Sequence, residues 1–119
     1  MNVLEFYNKT HGSYNEVLSR LQNEKIVIKF LKKFLDDNTF DCLNKSINDH
    51  NYQDAFRYAH TLKGICLNLG LNDVLEYDYP LTELLRNSKS IDENKVLDQF
   101  CKLKQNYNNT INLIKTIEL

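Results

Sequence analysis

Residues 51–70 read NYQDAFRYAHTLKGICLNLG. Asn51, followed three residues later by Asp54, starts a helix over about 52–69, and Gly70 stops it. On a wheel turning roughly 100° per residue, Ala55, Ala59, Leu62, Cys66 and Leu69 fall within about 40° of one line. That line is the expected core face. His60 lies roughly 140° from it, and Gln53, Phe56, Gly64 and Leu67 lie between about 100° and 180°, with Lys63 near 80°. A glycine inside a helix costs about 1 kcal/mol against alanine. Gly64, pointing away from the core, therefore needs a reason other than helix formation.

The rest of the chain extends the same helical reading. One Pro and three Gly in 119 residues leave few breaks, and no Asn-Gly or Asp-Gly hairpin signal appears. Ser13 caps a short helix over about 14–22, and Asn23 caps a longer one over about 24–48. The apolar stripe of the second shifts phase between Phe34 and Phe40, which predicts a kink or break near Asp36–Thr39. A further helix over about 72–88 is expected to be interrupted by Pro80, which lacks an N–H and clashes one turn back. Ser90 with Glu93 reads as a capping box for a last helix over about 91–116. Its stripe is Val96, Phe100, Leu103, Tyr107, Ile111, Ile114 and Ile117. The expected fold is all-α: one domain over 1–119, an up-and-down four-helix bundle with a short additional N-terminal helix.

Composition narrows the function classes. The charged fraction is 26% and the net charge −1, so no basic surplus points to nucleic acid or an anionic membrane. No apolar run is long enough to span a bilayer, and MNVLEFYNKTHG lacks the apolar core of a signal peptide. Cys42, Cys66 and Cys101 are odd in number and without CxxC spacing, which suits reduced thiols in a cytoplasmic protein. Richness in Asn, Lys and Ile suits an AT-rich bacterial genome. Metal binding through His11, His50, His60 and the cysteines lacks any i, i+4 or CxxC pair, so no metal site is expected.

The wet face of the 52–69 helix carries the chemistry. An imidazole in water is largely neutral and nucleophilic at neutral pH. Lys63, one turn on, can neutralise an anion attached to the His60 ring. Gly64 leaves bare backbone where another protein can approach. Phe56 and Leu67 offer apolar surface to a partner.

The run His60-Thr-Leu-Lys63-Gly64, with Ala59 before it and Leu69-Gly70 after it, resembles the motif of histidine-containing phosphotransfer (HPt) domains. These are phosphorelay modules of two-component signal transduction. YNEVLSRLQNEKIVIKFLKKFLDD resembles the region before the family's active helix, and NYQDAFRYAHTLKG the active helix itself. Most of residues 13–88 fits; the last helix fits in pattern only. Ile65, Cys66 and Pro80 depart from the family's usual residues.

The resemblance implies that His60 is the phosphoacceptor through Nε2, that Lys63 stabilises the phosphate, and that Gly64 admits the partner. Gln53, Phe56, Arg57 and Leu67 are the candidate partner-binding residues around them. The implied partners are a response-regulator receiver domain, a hybrid sensor histidine kinase, or both. The receiver's aspartate would exchange the phosphoryl group and the receiver would supply Mg²⁺, with no cofactor on this chain. The chain would be a monomeric carrier, not an enzyme, since no Gly-rich nucleotide loop is present. The alternative is a helical docking module that binds a receiver or kinase without transfer.

Overall fold

Short polar side chains set where the helices begin. The computed structural model describes residues 1–118, and among them the chain forms seven α-helices and no strand. These are α1 (Val3–Lys9), α2 (Tyr14–Leu21), α3 (Glu24–Phe34), α4 (Thr39–Asn48), α5 (Tyr52–Leu69), α6 (Asn72–Leu85) and α7 (Glu93–Lys115). Asn2, Ser13, Asn23, Asn51 and Asp92 each accept a hydrogen bond from the backbone N–H three residues on, at 2.8–3.3 Å. Each bond satisfies one of the orphan donors of a first helical turn. α4 is the variant case: Asp37 Oδ1 accepts from the Thr39 N–H at 2.8 Å.

Several boundaries differ from the sequence reading. The segment before Ser13, where the sequence reading placed no helix, forms α1, which buries Val3, Phe6 and Tyr7 at helical spacing. The N-terminal region therefore holds more than one short helix. The long second helix is broken into α3 and α4 at residues 35–38, where the stripe changes phase. Pro80 does not interrupt α6, which runs unbroken through it. Pro80 and Glu76 both lie on the exposed side, so the carbonyl that loses its partner one turn back faces water. α6 stops at Leu85, short of 88. The cap of α7 is Asp92, whose Oδ1 takes the Lys95 N–H at 3.2 Å. Glu93 instead accepts from the Tyr52 hydroxyl at 3.0 Å.

α5 lies between α4 and α6, and α6 packs on α7. α3 touches both α5 and α7. Ala55, Ala59, Leu62, Cys66 and Leu69 are all buried, as the wheel placed them. They meet Leu43 and Ile47 of α4, Val74, Leu81 and Leu85 of α6, and Val96, Phe100, Leu103 and Ile114 of α7 in one core. Phe40 stacks on Phe100 and Tyr107 with ring centroids 5.5 and 4.0 Å away, so the start of α4 is pinned to α7 by aromatic faces.

The turn between α5 and α6 is clasped by the N-terminal segment. Gly70 sits at φ 67°, a left-handed conformation that closes the helix as the Cys66 carbonyl accepts from the N–H groups of Gly70 and Leu71. A Cβ at Gly70 would also meet Val17 Cγ2 of α2 at 2.5 Å, and one at Gly12 would meet the Gly70 carbonyl oxygen at 2.7 Å. The buried Tyr7 hydroxyl donates to the Leu69 carbonyl at 2.7 Å. From α2, Arg20 donates to the Leu67 and Asn68 carbonyls at 2.9 and 3.1 Å. These are the last carbonyls of α5, which have no intrahelical partner.

Tyr7→Phe keeps the ring and strands the Leu69 carbonyl without its donor. It should lower the free energy of unfolding by about 1–3 kcal/mol, read from urea denaturation. A wild-type midpoint would show that this hydrogen bond does not hold α1 to the turn.

Candidate functional site

The outward face of α5 places most of the sequence-selected residues together. His60 is exposed, Lys63 half-buried and Gly64 exposed. Gln53, Arg57 and Leu67 are exposed and Phe56 is half-buried. The Phe56 and His60 rings lie 6.0 Å apart at a tilt of 44°. A Cβ built at Gly64 meets nothing within 4 Å. Gly64 therefore answers no packing need inside the fold, in contrast to Gly70. Arg57 is tied to Asp54 one turn back, and Thr61 Oγ1 donates to the Arg57 carbonyl at 2.9 Å. Leu67, 53% exposed, stands at the far end of the face.

The other two histidines have structural company. His11 Nδ1 lies 2.8 Å from Asp73 Oδ1, joining the α1–α2 loop to the start of α6. His50 Nδ1 lies 2.9 Å from the Tyr52 hydroxyl and 3.3 Å from Glu93 Oε1. The His60 ring has no hydrogen-bond partner among the described residues. Nor, among them, are three His, Cys, Asp or Glu side chains grouped to hold a metal ion. No described helix is long and apolar enough to cross a membrane.

α6 contributes a flank that the sequence reading missed. The Lys63 ammonium sits 4.7 Å from the centre of the Tyr79 ring, and the Arg86 guanidinium 5.2 Å from that of Phe56. Both contacts follow from one antiparallel register: a step forward on α5 is matched by a step backward on α6. Glu83 falls between Tyr79 and Arg86, which this register puts near the level of His60. Arg86 grips it with two hydrogen bonds, Nε to Oε2 at 3.1 Å and Nη2 to Oε1 at 2.8 Å. These bonds, helped by Lys63, hold the Glu83 carboxyl below its ordinary range. The i, i+4, i+7 spacing of Tyr79, Glu83 and Arg86 was a visible signal of one helix face. What the sequence lacked was the register that brings this face alongside His60.

Beneath Lys63 lies Asp78, fully buried, with neither carboxylate oxygen hydrogen-bonded. The Thr82 hydroxyl is spent on the backbone carbonyl of Asp78 at 2.9 Å. Burial pushes the Asp78 carboxyl up to about 7, opposed first by the neighbouring Thr82 hydroxyl and then by the Lys63 ammonium. Burial first, and Asp78 second, also raise the Cys66 thiol. Cys66 is thus a packed core thiol and not a nucleophile.

The folded protein keeps the Asp78 proton that the unfolded chain gives up near 3.8. Its contribution to stability is therefore full below that value, falls as pH rises toward 7, and is flat above. Asp78→Asn cannot ionise and should lose this slope. Relative to wild type, the variant should gain on the order of 2–3 kcal/mol between pH 5 and pH 8, measured by urea denaturation at both values. A difference that stays constant across that range would mean Asp78 does not titrate in the folded state.

Comparison of the chain with protein-family models, with curated proteins and with solved structures finds no match.

Proposed function

We propose that the chain is a phosphoryl carrier of the HPt kind, an intermediate in two-component signalling with no ATP site of its own. The observation that carries the reading is the exposed His60 ring beside open space at Gly64, with Lys63 one turn on. In this reading α4 to α7 make up the up-and-down four-helix bundle, and α1 to α3 brace one end and one side. The setting would be cytoplasmic, the chain monomeric, and the partner a receiver domain, free or within a hybrid kinase.

Transfer is in-line. His60 Nε2 attacks the phosphorus of the receiver's aspartyl phosphate; the N–P bond forms as the acyl P–O bond breaks and the aspartate leaves as carboxylate. The reverse exchange returns the group to a receiver. The receiver's Mg²⁺ would supply charge neutralisation to the phosphoryl oxygens. On this side, Lys63 adds positive charge from its place over Tyr79, and Gly64 leaves the path to the ring clear. Gln53, Phe56, Arg57 and Leu67 would form the surrounding contact surface.

Three variants test the reading against phosphorylated receiver domains. His60→Gln should abolish phosphoryl acceptance. Lys63→Ala should slow it while costing about 1 kcal/mol of stability or less, for the lost contact with Tyr79. Gly64→Gln should melt close to wild type, since open space surrounds the position, yet transfer far more slowly because its side chain stands where the partner must come. Label on His60→Gln at wild-type level would overturn the assignment. Receiver binding without transfer would favour the docking-module alternative.

A further inference from the structure

We propose that Asp78 makes the His60 face sensitive to pH: it is a buried carboxyl beneath Lys63 that opposes a phosphoryl group on His60 whenever it is ionised. This rests on the reading of His60 as the phosphoacceptor.

Asp78 is costly where it stands. Among the described residues, its two carboxyl oxygens are the only buried side-chain nitrogen or oxygen atoms without a hydrogen-bond partner. Interiors ordinarily satisfy such atoms, and an unpaired carboxyl there lowers stability. The other buried residues of α6 are Val74, Leu81, Thr82 and Leu85. An apolar side chain would serve that core better. A costly titratable group with no structural return points to the site beside it.

The charge that acts on Asp78 comes from that site. The titratable groups of α5 that act on it are Lys63 and Cys66. Burial keeps the Cys66 thiol neutral, which leaves Lys63 as the full charge. On α6 itself, Thr82 offers only a hydroxyl, and the exposed Glu83 is gripped by Arg86. On α7, the other helix packed on α6, the buried residues are Val96, Phe100, Leu103, Thr110 and Ile114. Its Asp98 and Lys102 pair with each other at the surface. Lys63 is one turn from His60, and its ammonium lies over the ring of Tyr79, the residue after Asp78.

Two states follow. With its proton, Asp78 is neutral and the face keeps the whole of the Lys63 charge. Without it, a negative charge stands in a low-dielectric interior where salt screens it little. That charge offsets Lys63 and repels the phosphoryl group, which brings close to two negative charges of its own. The reverse holds equally: a phosphoryl group on His60 tightens the hold of Asp78 on its proton by the same free energy. Burial sets the changeover at about 7. His60 therefore keeps its phosphoryl group best below that pH and yields it more readily above.

The first measurement uses the wild-type chain and no partner. Phosphoramidate phosphorylates histidine directly: the Nε2–P bond forms, the P–N bond of the reagent breaks, and ammonia carries away the proton. Carbon NMR of the chain labelled at its aspartate carboxyls follows Asp78 through neutral pH, before and after phosphorylation. Its signal is the one missing from Asp78→Asn. Phosphorylation should raise the midpoint by about 0.5, and the same treatment of His60→Gln should leave it in place. By linkage, a shift of about 0.5 makes the exchange constant about threefold smaller once Asp78 is ionised. In exchange with a phosphorylated receiver, occupancy of His60 should thus fall about two- to threefold more in wild type than in Asp78→Asn as pH rises through 7.

An Asp78 midpoint that phosphorylation leaves unmoved overturns the proposal, as does a shift that persists in His60→Gln. Equal pH dependence of exchange in wild type and Asp78→Asn also overturns it. A chain that takes phosphoramidate on His60 and shifts Asp78, yet exchanges with no receiver, would retire the proposed function and leave this linkage standing. Refusal of phosphoramidate by His60 would overturn both.

Discussion

The structure depends on the left-handed turn at Gly70. It brings α6 back along α5 with only Gly70 and Leu71 between them. No side chain fits at Gly70, because Val17 of α2 already fills the space a Cβ would take. Tyr7, Gly12 and Arg20 close around the same turn from α1, the following loop and α2. A turn held this tightly allows little slippage between α5 and α6. That register then decides which residues of α6 stand beside His60: Tyr79 under Lys63, Arg86 over Phe56, and Glu83 between.

α5 therefore works as a partition. Its inner face is continuous with the core from Ala55 to Leu69. Its outer face lines up an aromatic ring, an imidazole, an ammonium and a gap left by a missing side chain. Lys63 belongs to the boundary, with its ammonium over Tyr79 and its field reaching the buried Asp78. An unpartnered carboxyl in the interior normally costs stability when it ionises. Asp78 avoids much of this by holding its proton up to about 7. Below that value the carboxyl is neutral and does not offset the Lys63 charge.

How much could be read from sequence differs from helix to helix for physical reasons. α5 was legible almost to the residue, since it has strong periodicity, an Asn cap at one end and glycine at the other. α1 was not, because seven residues make fewer than two full periods of any pattern. Pro80 misled because the rule against proline in a helix assumes the freed carbonyl has nowhere to go, whereas here it meets water. Ser90 and Asp92 are both good caps, and local sequence does not choose between them; the packing of α7 does. The His60, Lys63 and Gly64 arrangement was readable because all three lie on one helix. Tyr79, Asp78, Glu83 and Arg86 were not, because their relation to His60 is a contact between two helices whose register the Gly70 turn sets.

The central claim is that His60, among three histidines, is the one built to carry a phosphoryl group. It is the one without a hydrogen-bond partner among the described residues, and it shares its helix face with the open space at Gly64. The most direct measurement is proton–phosphorus correlation NMR on the chain after exposure to a phosphorylated receiver domain. The account predicts a single phosphorus signal coupled to both carbon-bound ring protons of His60, as Nε2 attachment requires. A signal that correlates with the His11 or His50 ring, or no phosphorus signal on the chain, would contradict it.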